Sequence, residues 1–238
     1  MSSHRPLLLV CLIVTLLTGG CATGKMHSST ERHASHTASS INADPRAIDG
    51  QMVMYSDLSG LRLQNITLKN TAFVSSSGKN IELRNVIFEN CRFINTHFTS
   101  GVMENVTFRG GLFTCEGDQD NLDARSFFSN VALNGVAFDS TSMDNFTIDA
   151  ADSSIIFRNM HSIRALEPVV RGTNISLTIE NCVFMRIPTI TAITGKSALV
   201  VRDTTFSASN FGKSVFERVL FERCITYGGA VYTPPAKR

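Results

Sequence analysis

The residues that could do chemistry are few, and the densest group is acidic. Asp118, Asp120 and Asp123 follow Glu116 in a stretch of small and polar residues. Carboxylate oxygens at this density could bind Ca²⁺, but their spacing differs from that of an EF-hand loop. Two interpretations therefore stay open, a weak metal site and a solvated loop, and the spacing favours the loop.

The other titratable residues form no recognisable catalytic set. His97 and His161 are the only histidines beyond residue 50, and no Ser-His-Asp or metal-triad pattern surrounds them. The six cysteines show no CxxC spacing. The sequence predicts no cofactor, and it favours a protein that is not an enzyme.

A strict repeat of five residues dominates the chain and is clearest between Ile81 and Phe113. The first place of each repeat is small or β-branched, the fifth is often Asn, and the third is large and apolar. A period of five fits neither a helix nor a strand, so we interpret it as a structural repeat whose third place points inward. The predicted core residues are Leu83, Phe88, Phe93, Phe98, Met103, Phe108, Phe113, Phe128, Phe138, Phe206, Phe211, Phe216 and Phe221.

This pattern resembles the pentapeptide-repeat family, in which four repeats form one square turn of a right-handed parallel β-helix. The resemblance implies an all-β solenoid, a β-helix in which residues twenty apart stack and Asn in the fifth place occupies a tight left-handed corner. The second place departs from the family, because it is often Thr, Glu, Ile or Val where the family has Asp or Asn.

Interruptions of the repeat predict loops and coils of unequal length. We expect Cys115–Ser126 to loop out, because Asp118 and Asp123 would otherwise point inward unpaired. Arg164–Asn174 and Ile187–Gly195 are also predicted to be loops, each around a proline. At ~20 residues per turn, about seven to eight coils are expected.

Four cysteines fall within the repeats. Cys91, Cys182 and Cys224 occupy the small first place, which predicts buried thiols. A disulfide is the alternative in an oxidising compartment, and the sequence cannot give the pairing. Cys115 is expected to point outward and to be the most reactive thiol.

The N-terminus resembles the signal peptide of a bacterial lipoprotein. A short apolar run from Leu7 to Leu17 precedes Thr18-Gly19-Gly20-Cys21, and in that family the Cys becomes the acylated first residue. Thr18 departs from the family, which prefers Leu there; an ordinary secreted protein cut near Ala22 is the alternative. Ala22 rather than Asp after the Cys implies anchoring of Cys21 in the lipid of the outer membrane.

The predicted domains follow from these signals. They are a signal peptide (1–20), a flexible tether poor in large apolar residues (21–50), the β-helix (51–230) and a disordered tail (231–238).

Composition limits the function classes. The net charge of +2 supplies no field that would capture nucleic acid and no acidic surface that would imitate it, unlike the DNA-mimicking members of the repeat family. The sequence favours a non-enzymatic envelope scaffold for an unknown protein partner. The alternative is a cell-surface protein that binds or modifies carbohydrate. Homodimerisation through an uncapped coil end is a further expectation, because terminal coils need covering.

Overall fold

The structure is a computed structural model that describes residues 36–115, 126–144, 146–162, 169–184, 189–206 and 216–226. One α-helix, α1 (Ala38–Ala43), and one 3-10 helix (Pro45–Ile48) precede the strands. The strands are β1 (Met52–Met54), β2 (Arg62–Lys69), β3 (Ala72–Val74), β4 (Ser77–Gly78), β5 (Ile81–Glu89), β6 (Arg92–Ile94), β7 (His97–Phe98), β8 (Gly101–Glu104), β9 (Thr107–Arg109), β10 (Leu112–Thr114), β11 (Ser126–Ser129), β12 (Val131–Asp139), β13 (Ser142–Asp144), β14 (Thr147–Arg158), β15 (His161–Ser162), β16 (Val169–Glu180), β17 (Val183–Phe184), β18 (Thr189–Thr194), β19 (Ala198–Arg202), β20 (Thr205–Phe206), β21 (Arg218–Glu222) and β22 (Ile225–Thr226).

The strands stack as the coils of a parallel β-solenoid of about 7 turns, which confirms the predicted β-helix. Equivalent residues of successive coils lie side by side in parallel pairs. Leu63 pairs with Leu83, and Leu83 pairs with Met103. Stacking of residues twenty apart is therefore confirmed for the first coils.

Coil length varies along the solenoid. Phe113 pairs with Met143, because Cys115–Ser126 falls between them, and Phe138 pairs with Phe157. Farther on, Ile155 pairs with Leu177. The coils therefore differ in the number of residues between paired strands, and the prediction of unequal coils is correct.

Stacked phenylalanine rings fill the interior. Phe93 lies between Phe73 and Phe113, with ring centroids 5.0 and 4.7 Å away and rings nearly parallel. Phe88 stacks on Phe108 at 5.1 Å, and the two columns meet edge to face. Rings in these arrangements attract one another beyond the effect of burial alone.

The corners explain the asparagines of the fifth place. Asn65, Asn85 and Asn105 all have φ near +50°, in the left-handed region that Asn tolerates. Their side chains also form a ladder: Asn85 Nδ2 donates to Asn65 Oδ1 (2.9 Å), and Asn105 Nδ2 donates to Asn85 Oδ1 (3.2 Å).

The small first place has a second role, which is to satisfy backbone carbonyls inside the solenoid. Thr96 Oγ1 donates to the carbonyls of Phe73 (3.1 Å) and Ile94 (3.2 Å). The Cys91 thiol makes the same pair of contacts, to Leu68 (3.5 Å) and Glu89 (3.7 Å). Thr and Cys therefore make equivalent contacts at this place.

The N-terminal end of the solenoid is covered by residues 38–48, which belong to the segment predicted as a tether (21–50). Residues 21–35 of that segment lie outside the described residues. Thr37 and Ser40 form a capping box at the start of α1. Ile41 of α1 and Ile48 of the 3-10 helix are both buried at this end of the solenoid. Asn42 Oδ1 accepts from the amide of Arg62 (2.7 Å), so the helix also satisfies the sheet edge. The folded part therefore begins before residue 51.

Two predicted loops are partly strand. Strand β16 begins at Val169 within the segment 164–174, and β18 lies within 187–195. Gly172, inside the first of these segments, is a point where two strands approach closely. A Cβ there would lie 1.7 Å from the Ala150 carbonyl oxygen, at φ +139°. Only glycine fits this position without moving the backbone.

The predicted core residues from Leu83 to Phe138 are buried. Phe127 and Phe146, which fall outside the five-residue column, are buried as well, and the register shifts in β11 next to Phe127. Phe216 and Phe221 are only partly buried against the core. Phe206 lies in β20, opposite Phe184. Phe211 lies outside the described residues.

Replacing Phe93 by Ala should remove a stacked ring and leave a cavity that neighbouring coils cannot fill. The expected loss is about 3–5 kcal/mol of unfolding free energy, measured by urea denaturation. Arg92→Ala, at the exposed neighbouring position, is the control and should change stability by less than about 0.5 kcal/mol. Equal effects of the two variants would contradict the inward column.

Candidate interaction surface

One outward sheet face is largely apolar. We call it the apolar face and define it by the outward side chains of β1, β3, β6 and β10. These side chains are Met52, Met54, Ala72, Val74, Ile94 and Leu112, together with the polar Arg92 and Thr114. The in-register pairing of the four strands places them in two adjacent columns. Contiguous apolar surface of this kind is typical of interaction sites.

The most exposed part of this face lies at the N-terminal coil. Met52 is 51% exposed, and Tyr55, at the corner beside Met54, is 79% exposed. Tyr and Met are enriched in protein interfaces, and Tyr is frequent among the residues that contribute most to binding. At the other end of the same sheet, Ser142 and Asp144 make the surface polar.

A different sheet carries a ladder of alternating charge. We call it the charge ladder: Lys69, Glu89, Arg109, Asp139, Arg158, Glu180, Arg202 and Glu222. Each residue is the register partner of the next, and basic and acidic residues alternate from one coil to the next. Close contacts include Lys69 Nζ to Glu89 Oε2 (3.0 Å) and Arg202 Nε to Glu222 Oε2 (2.6 Å). The charges of this column therefore supply no field of one sign.

The carboxylate of Asp139, in the charge ladder, accepts three side-chain hydrogen bonds. It accepts hydrogen bonds from Asn159 Nδ2 (2.8 Å), Arg158 Nε (3.0 Å) and Ser140 Oγ (3.1 Å). Burial acts to raise the pKa of Asp139, but the hydrogen bond from Asn159 and the charge of Arg158 outweigh it, so the pKa lies below its ordinary value. Charge-assisted hydrogen bonds of this kind are the strong ones in proteins.

The four described cysteines lie in the interior of the solenoid. Cys91, Cys182 and Cys224 are buried, and the four described cysteines form no disulfide with one another. Burial raises the pKa of the Cys91 and Cys182 thiols to about 11, so both are protonated at neutral pH. The prediction that Cys115 points outward is wrong. Cys115 is only 6% exposed, at the last described position before the interruption of the repeat.

Only some of the titratable residues singled out in the sequence lie within the described residues. Within the described ranges, no three His, Cys, Asp or Glu side chains form a group that could hold a metal ion. His97 is half-buried, with its ring centroid 5.8 Å from that of Phe127, and His161 is exposed on β15. Asp118, Asp120, Asp123 and Cys21 lie outside the described residues.

The comparisons with known proteins assign no family. No protein-family model matches the chain, and a search of the curated proteins finds none that is similar. In the part of the chain that the structure describes, no helix has the length and apolarity needed to cross a membrane.

The apolar face was not predicted from the sequence. Its signal is present: the second and fourth places are repeatedly apolar at positions 52, 54, 72, 74, 94 and 112. That signal becomes visible only when residues twenty positions apart, one coil from the next, are compared. When every repeat of five is compared, the second and fourth places also contain Arg, Glu and Thr, which belong to the other sides of the coil.

Asp139→Asn should make the unfolding free energy less dependent on pH in the acidic range. Because the pKa of Asp139 is lowered by folding, its contribution is present above the unfolded value of ~3.9 and is lost as pH falls through the folded pKa. The variant should lose about 1–3 kcal/mol at pH 7. Its unfolding free energy should then fall less steeply than that of the parent between about pH 5 and 2. Urea titrations at several pH values measure this, and an unchanged pH slope would contradict the role of Asp139.

Proposed function

We propose that the chain is a lipid-anchored protein of the bacterial envelope whose pentapeptide-repeat-like solenoid is a non-enzymatic scaffold. In this proposal, Cys21 is acylated and held in the outer membrane, and the apolar face binds another envelope protein. The observation that carries it is the row of outward apolar side chains with Met52 and Tyr55 at its exposed end.

The shape of the face supports binding to a protein. Its side chains project from in-register paired strands, so the backbone of the face is already ordered before a partner binds. Arg92 stands among apolar neighbours and would give such a partner one charged contact for orientation. A partner with a flat apolar patch and a carboxylate near its centre would fit.

Two observations support membership in the pentapeptide-repeat family. Four repeats fit one coil where the register is twenty, and Asn occupies the left-handed corners. The Thr18-Gly19-Gly20-Cys21 segment supports the lipid anchor by its resemblance to lipoprotein signals.

A pull-down with the acylated full chain from envelope fractions tests the scaffold. Ile94→Glu, in the apolar face, should lower recovery of the partner about tenfold, because a carboxylate in the middle of the contact must be desolvated. Ile87→Glu is the matched control. Ile87 is also outward and half-buried, but it lies beside the charge ladder, so its variant should recover the partner normally. Recovery of a glycan and no protein would favour the carbohydrate alternative. Equal loss in both variants would contradict the apolar face.

The anchor is tested in the same cells. A palmitate analogue should label the parent chain, and Cys21→Ala should abolish both the label and the membrane retention. Labelling that persists in Cys21→Ala would contradict the proposed anchor.

A further inference from the structure

The described methionines divide between the interior and the apolar face. Those in the interior are Met103, Met143 and Met160, and all are buried. Met52 and Met54 alternate with the buried Val53 on β1, so both belong to the outward side of that strand. Met52 is 51% exposed, whereas Met54 is half-buried. The most exposed methionine of the described residues therefore lies at the exposed end of the proposed binding face.

The neighbours on β3 explain why Met52 and Met54 differ. Met52 pairs in register with Ala72, whose methyl group covers little of a long side chain. Met54 pairs with Val74, which is larger and itself half-buried. Small solutes therefore reach the side chain of Met52 more readily than that of Met54.

The other described sulfur atoms are protected from oxidants. The four described cysteines are buried, and burial raises the pKa of the Cys91 and Cys182 thiols to about 11. Such thiols react slowly, because the thiolate is the reactive form. A thioether has no proton to lose, so access to its sulfur decides how fast it reacts. Among the described sulfur atoms, we expect the one in Met52 to be oxidised first.

A peroxide is a sufficient oxidant for this step. The sulfur of Met52 attacks one peroxide oxygen, and a sulfur–oxygen bond forms as the oxygen–oxygen bond breaks. The second oxygen takes the proton of the first and leaves as water. The sulfur is oxidised, the peroxide is reduced, and the products are methionine sulfoxide and water.

The sulfoxide changes what the apolar face presents to a partner. Its oxygen accepts hydrogen bonds, but the neighbouring side chains Met54, Ala72 and Val74 have no donor to offer. An apolar partner surface that covers oxidised Met52 must remove water from this oxygen without replacing the hydrogen bond. Oxidation therefore weakens binding, and because Met52 is outside the buried core, it leaves the fold in place.

We infer that Met52 is a redox-modification site, at which oxidation by a peroxide releases the partner from the apolar face and enzymatic reduction of the sulfoxide restores binding. This inference rests on the proposed function, because it concerns the regulation of the same face. The proposed location supports a peroxide as the reagent, since a chain in the envelope meets peroxide that enters from outside the cell before the cytoplasm does.

Peptide mapping tests the selectivity of the oxidation without a partner. The acylated full chain in detergent micelles is treated with dilute hydrogen peroxide, and mass spectrometry follows each methionine-containing peptide. Met52 should be oxidised about tenfold or more faster than the three buried methionines, which react only when the solenoid opens locally. Oxidation of Met52 at the same rate as the buried methionines would overturn the inference.

Partner recovery tests the switch. After removal of the peroxide, the oxidised parent chain should recover about tenfold less partner from envelope fractions than the untreated chain. Met52→Leu keeps a similar apolar volume, so this variant should bind normally and continue to bind after peroxide treatment. Met54→Leu is the matched control on the same strand and face, and it should still lose binding. Met52→Gln places a polar group there without any oxidant and should lower recovery to a similar extent.

The outcomes separate the switch from the scaffold. Methionine sulfoxide reductases for both sulfur epimers should restore recovery by the oxidised parent chain. Loss of binding in oxidised Met52→Leu would overturn the inference, because another residue would then be responsible. Selective oxidation of Met52 with unchanged recovery would overturn the switch and leave the scaffold intact. An untreated parent chain that recovers no protein would contradict the scaffold, and the switch with it.

Discussion

The structure depends on the stacking of one coil on the next. A single pentapeptide cannot bury its phenylalanine, and a single coil covers only one side of it. Phe93 is buried because Phe73 and Phe113 lie on either side of it, at ring-centroid distances of 5.0 and 4.7 Å. Each coil therefore completes the core of its neighbours, and an end coil must be covered by something else.

Stacking places different demands on the inside and the outside of the coils. Inside, a polar first place can donate a hydrogen bond to a buried carbonyl, which Thr96 and Cys91 both do. Outside, each column must avoid placing like charges side by side, and the charge ladder meets this demand by alternating sign at every coil. Sides that neither face the core nor carry paired charge are free to vary, and the apolar face lies on such a side.

The sequence was sufficient to predict the features that repeat locally. The period of five predicts the inward Phe88 and Phe108, and Asn85 marks a left-handed corner, because both depend on a residue and its nearest neighbours. Features that depend on coil length could not be predicted. The charge ladder joins Arg109 to Asp139 and Asp139 to Arg158, and these spacings differ because insertions change the length of individual coils. Gly172 lies in a segment with loop-like composition, and only the neighbouring coil shows that a carbonyl occupies the place of its side chain.

The same reasoning explains the differences at the two ends. Ile41 and Ile48 lie in a polar segment of the sequence, but two isolated apolar residues on short helical turns are enough to help cover an end coil. Phe221 continues the inward column of the sequence, yet it is only partly buried, because no described coil lies beyond β21.

Deletion of one whole coil tests most directly the claim that the coil is the structural unit. Removing residues 81–100 joins Asn80 to Gly101 and brings Leu63 against Met103 and Phe73 against Phe113. Removing residues 81–90 keeps the period of five but shifts every later strand by half a turn. We predict that the whole-coil deletion unfolds cooperatively in urea with a β-type circular dichroism spectrum, and that the half-coil deletion does not. A half-coil variant as stable and cooperative as the whole-coil variant would contradict the account.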